Sequence, residues 1–120
     1  MPVRSLGTAV LTWPDAGAVT AAARRWAVEL RRADAAVEAV GCFGSYARGD
    51  WGVGSDLDLV VIVAASALPF ERRAARWDAT GLPVPADLLV YTRAEWERLR
   101  APPAEVVWLA GKGATPAPAR

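Results

Sequence analysis

The chain has 120 residues, 53% of them apolar and 22% charged, with a formal net charge of +1. That balance fits one globular domain with a buried core rather than a disordered chain, and nothing in it implies broad nucleic-acid affinity. No histidine is present, so Ser-His-Asp, Cys-His and His-metal chemistry are out, and the single cysteine excludes an intrachain disulfide.

A lone thiol fits a reducing, cytoplasmic setting, and neither a membrane span nor a secretory leader is expected. The basic residues are thirteen Arg and one Lys. In chain order, the first thirteen residues give no firm pattern, although Ala9 to Trp13 can be extended. Asp15 is placed as the N-cap of a helix running to about Ala33. Val19, Ala23, Trp26 and Leu30 form its apolar stripe, and Arg24, Arg25, Arg31 and Arg32 its solvated side. Ala35 to Phe43 reads as the first strand, with Cys42 as a buried structural thiol. Asp56 to Val63 is the second, a β-branched apolar run.

Pro69 is suited to the first position of a short helix to about Ala79, with Phe70, Ala74 and Trp77 turned inward. Gly81-Leu82-Pro83-Val84-Pro85 ends it and leads into a third strand, Ala86 to Tyr91. Thr92 and Glu95 stand at capping-box spacing, and Trp96 and Leu99 would dock the helix they start. Pro102-Pro103 breaks that helix. Pro103 to about Ala110 is assigned to one more helix, and Gly111 to Arg120 to a loose tail.

The chemistry concentrates between the first two strands. Side chains alternate along a strand, so Asp56 and Asp58 share a face with Val60 and Ile62, their carboxylates roughly 6–7 Å apart. Such an oxygen pair suits Mg²⁺, which keeps waters and shares substrate phosphates. Taken alone, an Asp-x-Asp at a strand start is more simply a solvated pair. Gly44-Ser45 follows the first strand and can open a helical turn whose N–H groups attract phosphate oxygens. Gly44 allows close backbone approach, Ser45 adds a hydroxyl and Arg48 a guanidinium. For the turn to meet the paired acids, the first two strands must run antiparallel. The strand–helix–strand unit that follows is most simply a right-handed crossover with parallel strands. Parallel neighbours bring their starts to one edge, so Asp87 arrives beside Asp56 and Asp58.

Gly-Ser, ten residues, then Asp-x-Asp resembles the signature of the DNA polymerase β-like nucleotidyltransferase superfamily. The fuller stretch from Gly44 to Val61, G-S-Y-A-R-G-D-W-G-V-G-S-D-L-D-L-V-V, resembles its minimal nucleotidyltransferase branch over about Val37 to Tyr91. The resemblance implies an α/β domain with a mixed sheet of three or more strands and helices packed on one side. It implies transfer of a nucleoside monophosphate from an NTP, usually ATP, with Mg²⁺, two ions in the family pattern. Asp56, Asp58 and Asp87 would be the metal-binding and catalytic acids, and Gly44, Ser45, Arg48 and Ser55 the nucleotide contacts. Minimal nucleotidyltransferases are often antitoxins of helical HEPN-domain toxins, so such a protein is the implied partner and acceptor. A non-catalytic nucleotide-binding module that silences a partner by contact, and a stand-alone small-molecule nucleotidyltransferase acting as a homodimer, are the alternatives.

Overall fold

The structure is a computed structural model that describes residues 15–49, 56–100 and 106–111. The first helix, α1 (Ala16–Ala33), starts where Asp15 accepts a hydrogen bond from the Ala18 N–H at 2.7 Å. That bond satisfies one of the donors every helix start leaves without an intrahelical acceptor. Its buried stripe is Val19, Ala23, Ala27 and Leu30. Trp26, expected inward, sits at the rim, and its indole N–H donates to the Asp78 carbonyl at 3.0 Å.

Four strands make one sheet in the order β3-β2-β1-β4. They are β1 (Val37–Phe43), β2 (Leu57–Val63), β3 (Ala86–Thr92) and β4 (Val107–Gly111). β1 pairs antiparallel with β2, as the meeting of turn and paired acids requires, and β2 pairs parallel with β3, as the strand–helix–strand unit predicts. β4 pairs antiparallel with the other side of β1. The segment assigned to a last helix up to Ala110 is therefore a strand from Val107 onward, and Gly111, assigned to the tail, closes it. Short apolar runs do not distinguish the two structures by periodicity. Val107 and Trp108 suit a pleated surface, and β1 offered an open edge for them to pair with.

The period of two divides the sheet into two apolar layers. Leu57, Leu59, Val61 and Val63 join Val40, Val90 and the stripe of α1 on one face. Each fully buried Val or Leu there contributes about 1.5–3 kcal/mol. Val60 and Ile62 join Ala39 on the other face, covered by Phe43, Tyr91, Trp96, Val106 and Trp108. Trp96 belongs to a short helix, α4 (Arg93–Glu97), which opens with the expected capping box between Thr92 and Glu95. The long helix thus lies on one side, and one tryptophan of α4 caps the other. Gly41 makes room for that second layer, because a Cβ there would lie 2.8 Å from Cε3 of Trp108.

The crossover between β2 and β3 is shorter in helix than its sequence suggests. It holds α3 (Phe70–Arg73), preceded by Pro69, and a 3₁₀ turn over Ala74–Arg76. Ala74 and Trp77 pack inward, but Phe70 is 39% exposed and the buried residue is Arg73. Its guanidinium forks onto Glu95, with Nη1 at 2.6 Å from Oε1 and Nη2 at 3.0 Å from Oε2. It also donates to the carbonyls of Val90 and Leu68. A charge can be buried when it is paired and its donors are used, and Arg73 meets both conditions.

Candidate active site

The turn after β1 is α2 (Ser45–Arg48), a single helical turn. Gly44 precedes it at φ 77° and ψ −152°, a region open in practice only to glycine. Gly49 ends it in the left-handed conformation. The Arg48 and Gly49 N–H groups bond back to the Gly44 and Ser45 carbonyls at 2.9 Å. The first N–H groups of such a turn have no intrahelical acceptor, and no side chain caps this one. Tyr46 is buried in the α1-side core and anchors the turn, while Arg48 is exposed.

Gly44 lies against the paired acids. A Cβ built on it would collide with Oδ2 of Asp58 and lie 3.2 Å from its Cγ. The turn and the second acid of Asp-x-Asp are therefore in contact distance across the antiparallel pair, where Phe43 is the register partner of Asp58. On the other side of β2, Asp58 is the register partner of Asp87. Phe43, Asp58 and Asp87 thus stand three abreast, on strands about 4.8 Å apart, on the face shared with Val60 and Ile62. Phe43 was not singled out in the sequence. Its signal would have been the antiparallel pairing itself, which fixes what stands opposite Asp58.

Asp58 is half-buried, and Asp56 and Asp87 are exposed. Burial pushes the Asp58 carboxyl above the ordinary carboxylate range, and the charges of Asp87 and then Asp56 push it further, while Arg48 pulls it down. Asp58 therefore feels both neighbouring acids, and the guanidinium of Arg48 lies within electrostatic reach of it. Among the described residues no three potential ligands converge into a finished coordination sphere. The chemistry of the donors still fits Mg²⁺, because all are hard carboxylate oxygens crowded enough to repel. Mg²⁺ also needs only one or two protein carboxylates when water and phosphate supply the rest.

Ser55 and Trp51, which fall in sequence between the turn and the acids, lie outside the described residues, as do Pro102 and Pro103. Arg73 and Glu95 were not legible as a pair. They are 22 residues apart, and only the capping half of Glu95 has a local signature. Cys42 is buried and its thiol is pushed up, first by burial, then by Asp58, against the pull of Arg24. It stays protonated at neutral pH and behaves as a small apolar residue.

A family model described as "Nucleotidyltransferase domain" matches residues 24–109. Among solved structures, a protein from Sulfolobus solfataricus provisionally named a nucleotidyltransferase, at 1.40 Å resolution, shares the fold. Its TM-score is 0.58 at 20% identity, over 82% of this chain and 89% of that one. No curated protein matches the chain. No helix among the described residues is long and apolar enough to cross a membrane.

Proposed function

Because the chain belongs to the nucleotidyltransferase domain family, we propose that it transfers a nucleoside monophosphate from ATP to a hydroxyl acceptor. The observation that carries this reading is the position of Asp58. It stands in register with Asp87 on one side and under the Gly44 turn on the other. A triphosphate gripped by Gly44 and Ser45 would lie over Asp58, with Arg48 in reach of its oxygens. Asp56 and Asp58 would hold Mg²⁺, and Asp87 would complete a second metal position. When bound, the metal supplies positive charge for the entering and leaving oxygens of the displacement.

Asp87 would take the proton of the attacking hydroxyl. The bond from the acceptor oxygen to the α-phosphorus forms, the bond from that phosphorus to the bridging oxygen breaks, and pyrophosphate leaves on the Gly44 side. The protein acceptor and the antitoxin role rest on the likeness of the Gly44 to Val61 motif to minimal nucleotidyltransferases. A HEPN-domain protein is the partner that likeness names.

The test is to incubate the chain with a HEPN-domain protein and Mg-ATP and to measure the partner's mass. An added AMP with wild type, lost in Asp87→Asn, supports the reading. A partner left unmodified yet silenced equally by both forms would replace it with a contact-only antitoxin.

A further inference from the structure

Among the described residues β3 is an edge strand, so half of its backbone groups face no neighbouring strand. One bond fixes which half. The Leu57 N–H donates to the Pro85 carbonyl at 2.8 Å. In the parallel register of Leu57 with Ala86, residues 85, 87, 89 and 91 then turn their backbone groups to β2, and 86, 88, 90 and 92 turn theirs outward. At the far end of the strand the outward groups are taken. Nη1 of Arg73 donates to the Val90 carbonyl at 3.1 Å, and the Thr92 N–H donates to Oε1 of Glu95 at 2.9 Å. One ion pair thus closes that end, and natural sheets commonly cover their edges in such ways. Ala86 and Leu88 have no such cover. Among the described residues nothing bonds to their outward N–H and carbonyl groups. They are the residues on either side of Asp87.

We propose that this open stretch of edge is the acceptor site, and that the acceptor is an extended polypeptide segment that pairs with Ala86 and Leu88 and presents a hydroxyl side chain in register with Asp87. The inference rests on the nucleotidyl-transfer reading and names the form its acceptor takes. An added strand pairs through its backbone, about 4.8 Å from its neighbour, and register partners share a face. Phe43, Asp58 and Asp87 already stand abreast on one face. A residue paired beside Asp87 is the fourth in that row, its Cβ about 4.5–5.5 Å away. Its hydroxyl gives its proton to Asp87, and its oxygen bonds to the α-phosphorus as the bond to pyrophosphate breaks. In an in-line displacement the entering oxygen stands opposite the leaving one. The row provides this, because the Gly44 turn follows β1, β2 lies between, and the added strand is beyond β3. Leu89, half-buried on the same face, would meet the side chain two places from the hydroxyl and favour an apolar one there.

The experiment gives the whole chain Mg-ATP labelled at the α-phosphate and four acceptors. These are the pentapeptide acetyl-Val-Gln-Ser-Gln-Val-amide, its tyrosine-centred form, its fully N-methylated form, and N-acetylserinamide, which has the hydroxyl but is too short to pair as a strand. Label is expected on a pentapeptide with free N–H groups at least tenfold faster than on the N-methylated form or on N-acetylserinamide. In amide NMR, Mg-ATP is expected to move Gly44 to Arg48, and the pentapeptide to move Ala86 and Leu88. Ala86→Pro removes an outward donor at the start of a strand, where proline is tolerated. It should reduce labelling at least fivefold while Mg-ATP still moves Gly44 to Arg48 as in wild type. No label on either free pentapeptide, equal label on N-acetylserinamide, peptide shifts confined away from 86 and 88, or full labelling in Ala86→Pro would each overturn the strand acceptor and leave the phosphate site standing. Failure of Mg-ATP to move Gly44 to Arg48 overturns the phosphate reading instead, and the strand acceptor falls with it.

Discussion

Gly44 and Asp58 occupy adjoining space so closely that the glycine's missing side chain is the room the carboxylate takes. The left-handed φ of Gly44 and the half-buried position of Asp58 are therefore two sides of one constraint. Gly44→Ala should strain the backbone and displace the Asp58 carboxylate together. Calorimetry should show Mg-ATP affinity falling at least tenfold in Gly44→Ala. Ser45→Ala, which removes only a hydroxyl, should lose about 1.5–3 kcal/mol, as for a hydrogen bond to a charged group. Normal ATP binding by Gly44→Ala would mean the turn is not where the phosphates sit.

Asp58 carries a cost to the fold that a cation would lift. Its carboxyl is raised by burial and by the neighbouring acids. An acid raised in the folded state opposes folding once it ionises, at and above its ordinary range. Asp58→Asn should therefore stabilise the metal-free chain, by about 1 kcal/mol if one repulsion of water-like strength is removed. The same substitution, alone or with Asp56→Asn, should abolish the gain in ATP affinity that Mg²⁺ brings. Thermal midpoints with and without Mg-ATP read both effects. A less stable Asp58→Asn, or Mg²⁺-independent ATP binding in wild type, would contradict the proposed metal role.

Asp87 should separate binding from transfer. It is exposed at the start of an edge strand, and Asp87→Asn keeps the strand's hydrogen bonds and its shape. The variant should bind Mg-ATP within about threefold of wild type, which corresponds to about 0.65 kcal/mol. It should also transfer no label from ATP marked at the α-phosphate. Undiminished transfer would remove Asp87 from the reaction.

Arg73 and Glu95 bear on stability and its pH dependence. The Arg73 guanidinium, followed by the Thr92 N–H, holds the Glu95 carboxyl at about 2, against an ordinary 4.5. A depressed carboxyl stabilises the fold above its unfolded value and loses that contribution as pH falls toward the folded one. The stability gap between wild type and Glu95→Gln, from urea titrations, should thus narrow between pH of about 4.5 and about 2. Arg73→Met should cost about 1–3 kcal/mol, because it takes the cation from a partly exposed carboxylate that keeps only the Thr92 N–H and removes this donor from the Leu68 and Val90 carbonyls. A gap that is flat across that window would show the pair contributes nothing.

Local signals were the readable part of this sequence. Asp15 and the Thr92–Glu95 pair announced their helices because capping involves residues three apart. The antiparallel direction of β1 and β2 followed from a chemical demand, that the turn and the paired acids should meet, and the parallel direction of β2 and β3 from the strand–helix–strand connection between them. Position 73 gave no such sign, since what buries an arginine there is a glutamate 22 residues on. Phe70 has the composition of a core residue and is 39% exposed, with its ring 5.1 Å from Tyr91. Val107 to Gly111 became a strand through the vacant edge of β1, a fact about another segment altogether.

The sheet order has a kinetic consequence. Asp58 sits on an inner strand paired on both sides, whereas Asp87 sits on an edge strand paired on one. In native-state deuterium uptake, amides of Leu57–Val63 should exchange only with global unfolding, and those near Asp87 earlier, through partial opening at the rim. The donor half of the reaction would then be held on the most slowly exchanging backbone of the molecule. The acceptor half would move on a faster clock, free to be reshaped without disturbing the strand that holds the metal.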